Sequence, residues 1–116
     1  MAASTGGLCN KVEGRVGGIP CIGAGSFANQ NVAVTCTGTG EAFLRRAVAA
    51  EVGLRMQHMG MTVEQAARAA IGGMDPGDGG LIAIGRDGSV AMVFNTGGMF
   101  RAVQTHDMPA PQAHMW

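Results

Sequence analysis

Thr37, Gly38, Thr39 and Gly40, followed at once by Glu41, are the residues best suited to chemistry in this 116-residue chain. Their two hydroxyl groups can donate or accept hydrogen bonds, and the glycines let the backbone turn sharply and come close to a ligand. The segment Val32 to Glu41 sets them where a strand ends and a helix begins. Val32, Val34 and Cys36 alternate with smaller or polar residues, as in a half-buried strand. A helix starting after Gly40 leaves its first amide groups unpaired and favours negatively charged oxygen groups there. A plain strand-to-helix connection has the same pattern, so spacing alone leaves both readings open. Arg15, between glycines and β-branched residues, is the second candidate; its ordinary reading is a solvated loop arginine.

Other constellations fall away. There is no GxxxxGK[ST] to place a lysine on nucleotide phosphates, and no HExxH or Cys/His cluster, so neither metal nor cofactor is expected. His106, Asp107 and His114 read as a polar tail, and His58 with Met56, Met59 and Met61 as core and helix-end residues. Cys9, Cys21 and Cys36 are odd in number and lack CxxC spacing, which fits reduced, small hydrophobic thiols.

Eight basic and eight acidic side chains give no net field towards nucleic acid or an anionic membrane, so neither partner is expected. The apolar runs are too short to span a bilayer and the start has no signal-peptide pattern, so a cytoplasmic protein is expected. Twenty glycines stand beside four Phe, one Trp and no Tyr. Ordering costs about 1.5 kcal/mol per residue, and few large side chains offset it, so the chain is expected to be an incomplete unit.

The elements that must hold these residues follow from periodicity. Gly6 to Pro20 reads as a loop, Cys21 to Phe27 as a strand, and Asn29 to Asn31 as the turn into an antiparallel strand Val32 to Thr37. From Gly40 to about Met59 the spacing is helical, with Phe43, Ala47, Ala50 and Leu54 on one face and Leu44, Val48 and Val52 beside it. Gly60 stops that helix. Thr62 to Gln65 fits a capping box that opens a second helix, Val63 to about Ile71. After a loop over 72–80, Leu81 to Arg86 and Ser89 to Phe94 form a hairpin about Asp87-Gly88. Met99 to Val103 is a further strand, and 104–116 a mostly irregular tail in which Ala113 to Trp116 could form an edge strand. The order predicts one α+β domain, residues 1–116, with an antiparallel sheet covered on one face by a two-helix layer.

Several motifs agree in order and spacing: Ser4-Thr5-Gly6-Gly7, Asn10-Lys11, Gly14-Arg15-Val16-Gly17, Ile22-Gly23-Ala24-Gly25, Cys36-Thr37-Gly38-Thr39-Gly40-Glu41 and Phe94-Asn95-Thr96-x-Gly98-Met99. From about Ala2 to Ala102 the series resembles the β subunit of plant-type L-asparaginases and isoaspartyl peptidases, N-terminal-nucleophile hydrolases. The resemblance implies a partial αββα sandwich, incomplete without the α-subunit part of the same precursor, and a homo-oligomer of αβ units when complete. It implies hydrolysis of asparagine or of isoaspartyl dipeptides by a threonine freed at the start of the β subunit, whose own amine is the base. Thr5 then matches the residue that helps activate that nucleophile, Arg15 the grip on the substrate's α-carboxylate, Thr37 and Gly38 the oxyanion-stabilising pair, and Gly40 a backbone lining the amino-acid end.

Two departures accompany the match. No residue here corresponds to the nucleophile, so the lone chain is expected to be inactive. Gly18 stands where the family usually has an aspartate that holds the substrate's α-ammonium. The alternative is a non-catalytic remnant or assembly module of the same fold.

Overall fold

The computed structural model describes residues 10–116. Its main sheet has the order β1-β2-β3-β4, all antiparallel, from β1 (Ser26–Ala28), β2 (Val32–Gly38), β3 (Gly79–Gly85) and β4 (Val90–Phe94). Helices α1 (Gly40–Arg46), α2 (Val48–Met59) and α3 (Val63–Gly72) connect β2 to β3. Strands β5 (Arg101–Val103) and β6 (Gln112–His114) make a separate two-stranded ribbon. The expected α+β arrangement, an antiparallel sheet with a helical layer, is present.

Alternation along the strands decides which face carries the core. Val32, Val34 and Cys36 of β2, Leu81 and Ala83 of β3, and Ala91 and Val93 of β4 are buried in one cluster with the helices. Across that layer the helices present mostly small residues: Val48, Ala49, Val52, Ala66, Ala67 and Ala70 are completely buried. Gly53 lets Phe27 pack directly against the α2 backbone, where a Cβ would collide with its ring. The opposite face carries Ile82 paired with Met92 and Ile84 paired with Val90, all half-buried.

Local signals account for the element ends. The Asn29 side chain accepts from the amides of Asn31 and Val32, at 2.8 and 3.0 Å, and so closes the β1–β2 turn. Thr62 and Gln65 form both bonds of the capping box, an arrangement worth about 1 kcal/mol. Gly60 ends α2 with φ +64°, and Gly88 turns the β3–β4 hairpin with φ +85°.

Three expectations need correction. Cys21 to Gly25 is not strand: Cys21, Ala24 and Gly25 are tied in turns, Cys21 N–H to Gly18 O and the other two to Cys21 O, so the strand starts only at Ser26. The first helix is broken at Ala47, which adopts the left-handed conformation (φ 50°, ψ 46°). There the chain changes direction so that the first amides of α2 meet the loop before β1: Ala49 N–H donates to Ala24 O at 3.1 Å, and Ala50 N–H to Gly23 O at 2.8 Å. This restart also changes the helical phase. Leu44 and Leu54 are exposed, while Val48, Ala49, Val52 and Gly53 are buried. Finally, the edge strand allowed for at Ala113 to Trp116 has other bounds: it is Gln112–His114, paired with Arg101–Val103, and Met99 N–H reaches Met115 O beyond it.

Ala47 is exposed and holds a conformation that costs a non-glycine residue about 1–2 kcal/mol. Ala47→Gly removes that strain and adds about 0.5–1 kcal/mol of chain entropy to the unfolded state. The expected outcome is a net gain of about 0.5–1 kcal/mol in unfolding free energy, measured by denaturant titration.

Candidate functional site

A cleft at the C-terminal end of β2 is lined by Arg15, Gly17, Gly18, Thr37, Gly38 and Gly40, with Ile19, Gly25, Cys36 and Phe43 behind them. It encloses about 30 Å³, the space of a water molecule or two. Arg15, Gly18, Thr37, Gly38 and Gly40 are thus brought together from two segments well separated in sequence. Thr5 lies outside the described residues, as do Ser4, Gly6, Gly7 and Cys9.

The two segments meet backbone to backbone. Gly18 is buried between Gly25 and Gly40. A Cβ on Gly25 would run into the Gly18 carbonyl, and one on Gly40 would stand 2.8 Å from Gly18 N. The loop carrying Arg15 is itself fastened: Ser26 Oγ donates to Ile19 O at 2.8 Å, and Cys36 N–H to Gly25 O at 2.8 Å. Because Gly23 and Ala24 accept from α2, this loop is tied to both β2 and a helix.

At the other wall, Gly38 has φ +132° and faces Gly79, with φ +147°, across the last pair of the β2–β3 ladder. A Cβ at Gly38 would clash with Asp78 O, and a Cβ at Gly79 with Thr37 O. Glycine is therefore required at both positions by conformation and by space. Thr39 N–H donates to Asp78 O at 2.7 Å and begins α1 without a side-chain cap. The helix contributes less to anion binding than its sequence position suggested. It is seven residues long and carries Glu41 in its first turn, so its dipole is small and partly opposed.

The charge in the cleft comes from Arg15. Its guanidinium is half-buried and folds back over Gly17 and Gly40: Nη1 stands 2.9 Å from where a Gly17 Cβ would be, and Nη2 3.3 Å from that of Gly40. Among the described residues the arginine ion pairs are Arg46 and Arg55 with Glu51, and Arg68 with Glu64, and none includes Arg15. A guanidinium in this setting suits a carboxylate, which it can hold through two parallel hydrogen bonds. Gly18 contributes only backbone, and Gly40 O would lie 3.2 Å from a Cβ placed there. Cys36 closes the back of the cleft, where burial pushes its thiol up to about 12. Among the described residues no three His, Cys, Asp or Glu side chains are grouped to hold a metal, and no helix is long and apolar enough to cross a membrane.

Ile19 and Phe43 were not singled out as site residues from sequence, and each reads there as ordinary apolar filler. Gly25 and Cys36 stood within the quoted motifs, but their position in the cleft depends on the loop closing over β2.

A family model described as asparaginase matches residues 1–111. The chain is 48% identical over 105 residues to the isoaspartyl peptidase of Escherichia coli (strain K12), which covers 87% of this chain and 33% of that protein. It is 46% identical over 105 residues to the isoaspartyl peptidase of Salmonella typhimurium, covering 87% of this chain and 34% of the relative. It is likewise 46% identical over 91 residues to the isoaspartyl peptidase/L-asparaginase of Mus musculus, covering 75% and 28%. The chain spans about a third of the length of these curated relatives.

The thiolate is the reactive form of cysteine, and burial keeps Cys36 protonated. Cys21 is partly exposed. Iodoacetamide labelling near pH 8 should therefore modify Cys21 at least about ten times faster than Cys36, read by peptide mass spectrometry, with the difference lost in denaturant.

Proposed function

Since the chain belongs to the asparaginase family, we propose that it forms the carboxylate-gripping and oxyanion-stabilising side of an amidohydrolase site for L-asparagine or isoaspartyl dipeptides. The observation that carries this reading is the single cleft lined together by Arg15, the Thr37–Gly38 turn and the backbones of Gly18 and Gly40.

In this reading Arg15 binds the substrate's α-carboxylate, and Gly40 lines the amino-acid end. The nucleophile is a threonine with a free amine. That amine takes the hydroxyl proton, the oxygen attacks the side-chain amide carbonyl, and the negative charge that develops is stabilised by Thr37 and Gly38. The amine then passes its proton to the leaving nitrogen, which departs as ammonia or as an amino acid. Water attacks the resulting ester and releases aspartate. None of the residues matched here is that nucleophile, so this chain holds substrate and stabilises charge, with Thr5 assisting activation. Support for the matching α-subunit part comes from the sheet face opposite the helices, where Ile82, Ile84, Val90 and Met92 form an apolar surface of the kind a second sheet covers. That arrangement is the partial αββα sandwich, and αβ units of this kind would pair into a homo-oligomer.

Gly18 bears on substrate affinity. Without a carboxylate at this position the α-ammonium group, which L-asparagine and isoaspartyl dipeptides both carry, lacks a charged partner from this wall, which weakens the hold on either by about 1.5–3 kcal/mol.

The test is ammonia release from L-asparagine and aspartate release from an isoaspartyl dipeptide by the whole protein, meaning this chain together with the α-subunit part and the nucleophile threonine. No release from either by that assembly overturns the reading, whereas the 116-residue chain alone is expected to release neither. Arg15→Ala should raise KM about 10- to 100-fold through loss of a charge-assisted contact, with a smaller change in kcat. Thr37→Val should do the reverse, lowering kcat about 100-fold at nearly constant KM, because the hydroxyl acts on charge that exists only in the transition state. Gly18→Asp should lower KM for L-asparagine about tenfold relative to Gly18→Ala, which adds the same Cβ near Gly40 O without the charge.

A further inference from the structure

Asn95 uses its backbone and its side chain on a single loop. Its side-chain Oδ1 accepts from Gly79 N–H at 3.0 Å, and its Nδ2 donates to Asp75 O at 2.8 Å. Its backbone N–H donates to Gly79 O at 2.9 Å, and its backbone carbonyl accepts from Gly77 N–H at 3.0 Å. Four hydrogen bonds from one half-buried residue thus span residues 75 to 79. Within that loop Asp78 N–H donates to Asp75 O at 3.2 Å, so the carbonyl held by Asn95 also fixes Asp78.

The loop in turn braces the cleft. Asp78 O accepts from Thr39 N–H at 2.7 Å, and Gly79 lies against Thr37 O so closely that no side chain fits between them. The path from the Asn95 side chain to the turn is therefore two contacts long, Oδ1 to Gly79 N–H and then Gly79 against Thr37 O, and the second is a backbone contact with little freedom to adjust.

We propose that Asn95 is a positioning residue for the Thr37–Thr39 turn, holding the 75–79 loop as the brace that fixes the direction of the turn's donors. The inference rests on the reading of Thr37 and Gly38 as the oxyanion side of the site. Asn95 touches no substrate in this scheme. Its effect reaches the reaction through Gly79 and Asp78, and a small displacement of an aligned donor is enough to cost up to about 100-fold in rate.

The experiment combines amide exchange with steady-state kinetics on the whole protein. In Asn95→Ala the Thr39 amide should lose at least about tenfold in protection while amides in the middle of α3 keep theirs. In the same variant kcat should fall about 10- to 100-fold with KM within about threefold, since the Arg15 loop is fastened through Ile19, Gly23, Ala24 and Gly25 and not through the 75–79 loop. Asn95→Asp keeps the acceptor for Gly79 N–H and the backbone pairs but loses the donor to Asp75 O. It should fall between wild type and Asn95→Ala in both measurements, and it serves if the alanine variant does not fold. An even loss of protection across the chain, with kcat per folded molecule unchanged, would reduce Asn95 to a general stabiliser and overturn the proposal. Local loss at Thr39 with unchanged kcat would instead overturn the oxyanion reading itself, and the catalytic part of this proposal with it. A wild-type Thr39 amide that exchanges as fast as the exposed Gly97 amide would overturn the brace without any variant.

Discussion

Backbone packed directly on backbone is the constraint from which the rest of this structure follows. Gly18 lies between Gly25 and Gly40, and Gly38 lies against Gly79, at separations that leave no room for a Cβ on Gly25, Gly38, Gly40 or Gly79. Such contacts bury little apolar surface and contribute little by themselves. They instead bring peptide groups from the loop before β1 and the end of β2 within reach of one small space, with the loop before β3 packed against the end of β2. A cleft walled by peptide groups offers donors and acceptors whose positions are set by the chain path, without the rotamer freedom of side chains.

The same constraint explains how the rest of the chain is arranged. A loop without large side chains cannot hold itself in place by packing, so it is held by hydrogen bonds to its neighbours: Gly25 O to β2, Gly23 O and Ala24 O to the first turn of α2. Those two carbonyls satisfy amides that a restarting helix would otherwise leave unpaired, and the break at Ala47 is what presents the amides to them. The helix break and the position of the Arg15 loop are one feature. Close packing of α2 and α3 on the sheet follows from the small residues at Gly53, Ala66, Ala67 and Ala70.

Much of the fold was legible locally. Alternation located β2, and the Thr62–Gln65 box and Gly60 located two helix ends, because each depends on residues within one turn of one another. Cys21 to Gly25 misled because small alternating residues suit a strand and a series of turns equally well. Only the bonds from Cys21 to Gly18, Ala24 and Gly25 decide between them. The helical face was misjudged for a related reason. A continuous periodicity through Ala47 hides a change of phase that arises from a contact with a loop more than twenty residues earlier.

By itself the sequence determined the types of group available: a lone arginine among glycines, two threonines at a strand end, small residues on two helices, and an ordered series of motifs that identifies the family. These are properties of composition and spacing, and they do not depend on the path of the chain. Only the tertiary structure decided that Arg15 lines one cleft with Thr37 and Gly38, that Gly18 and Gly40 touch, and that Asn95 braces the Asp78–Gly79 strand entry. Each of those facts joins residues distant in sequence through backbone groups, which every residue carries, so no residue type announces them in advance.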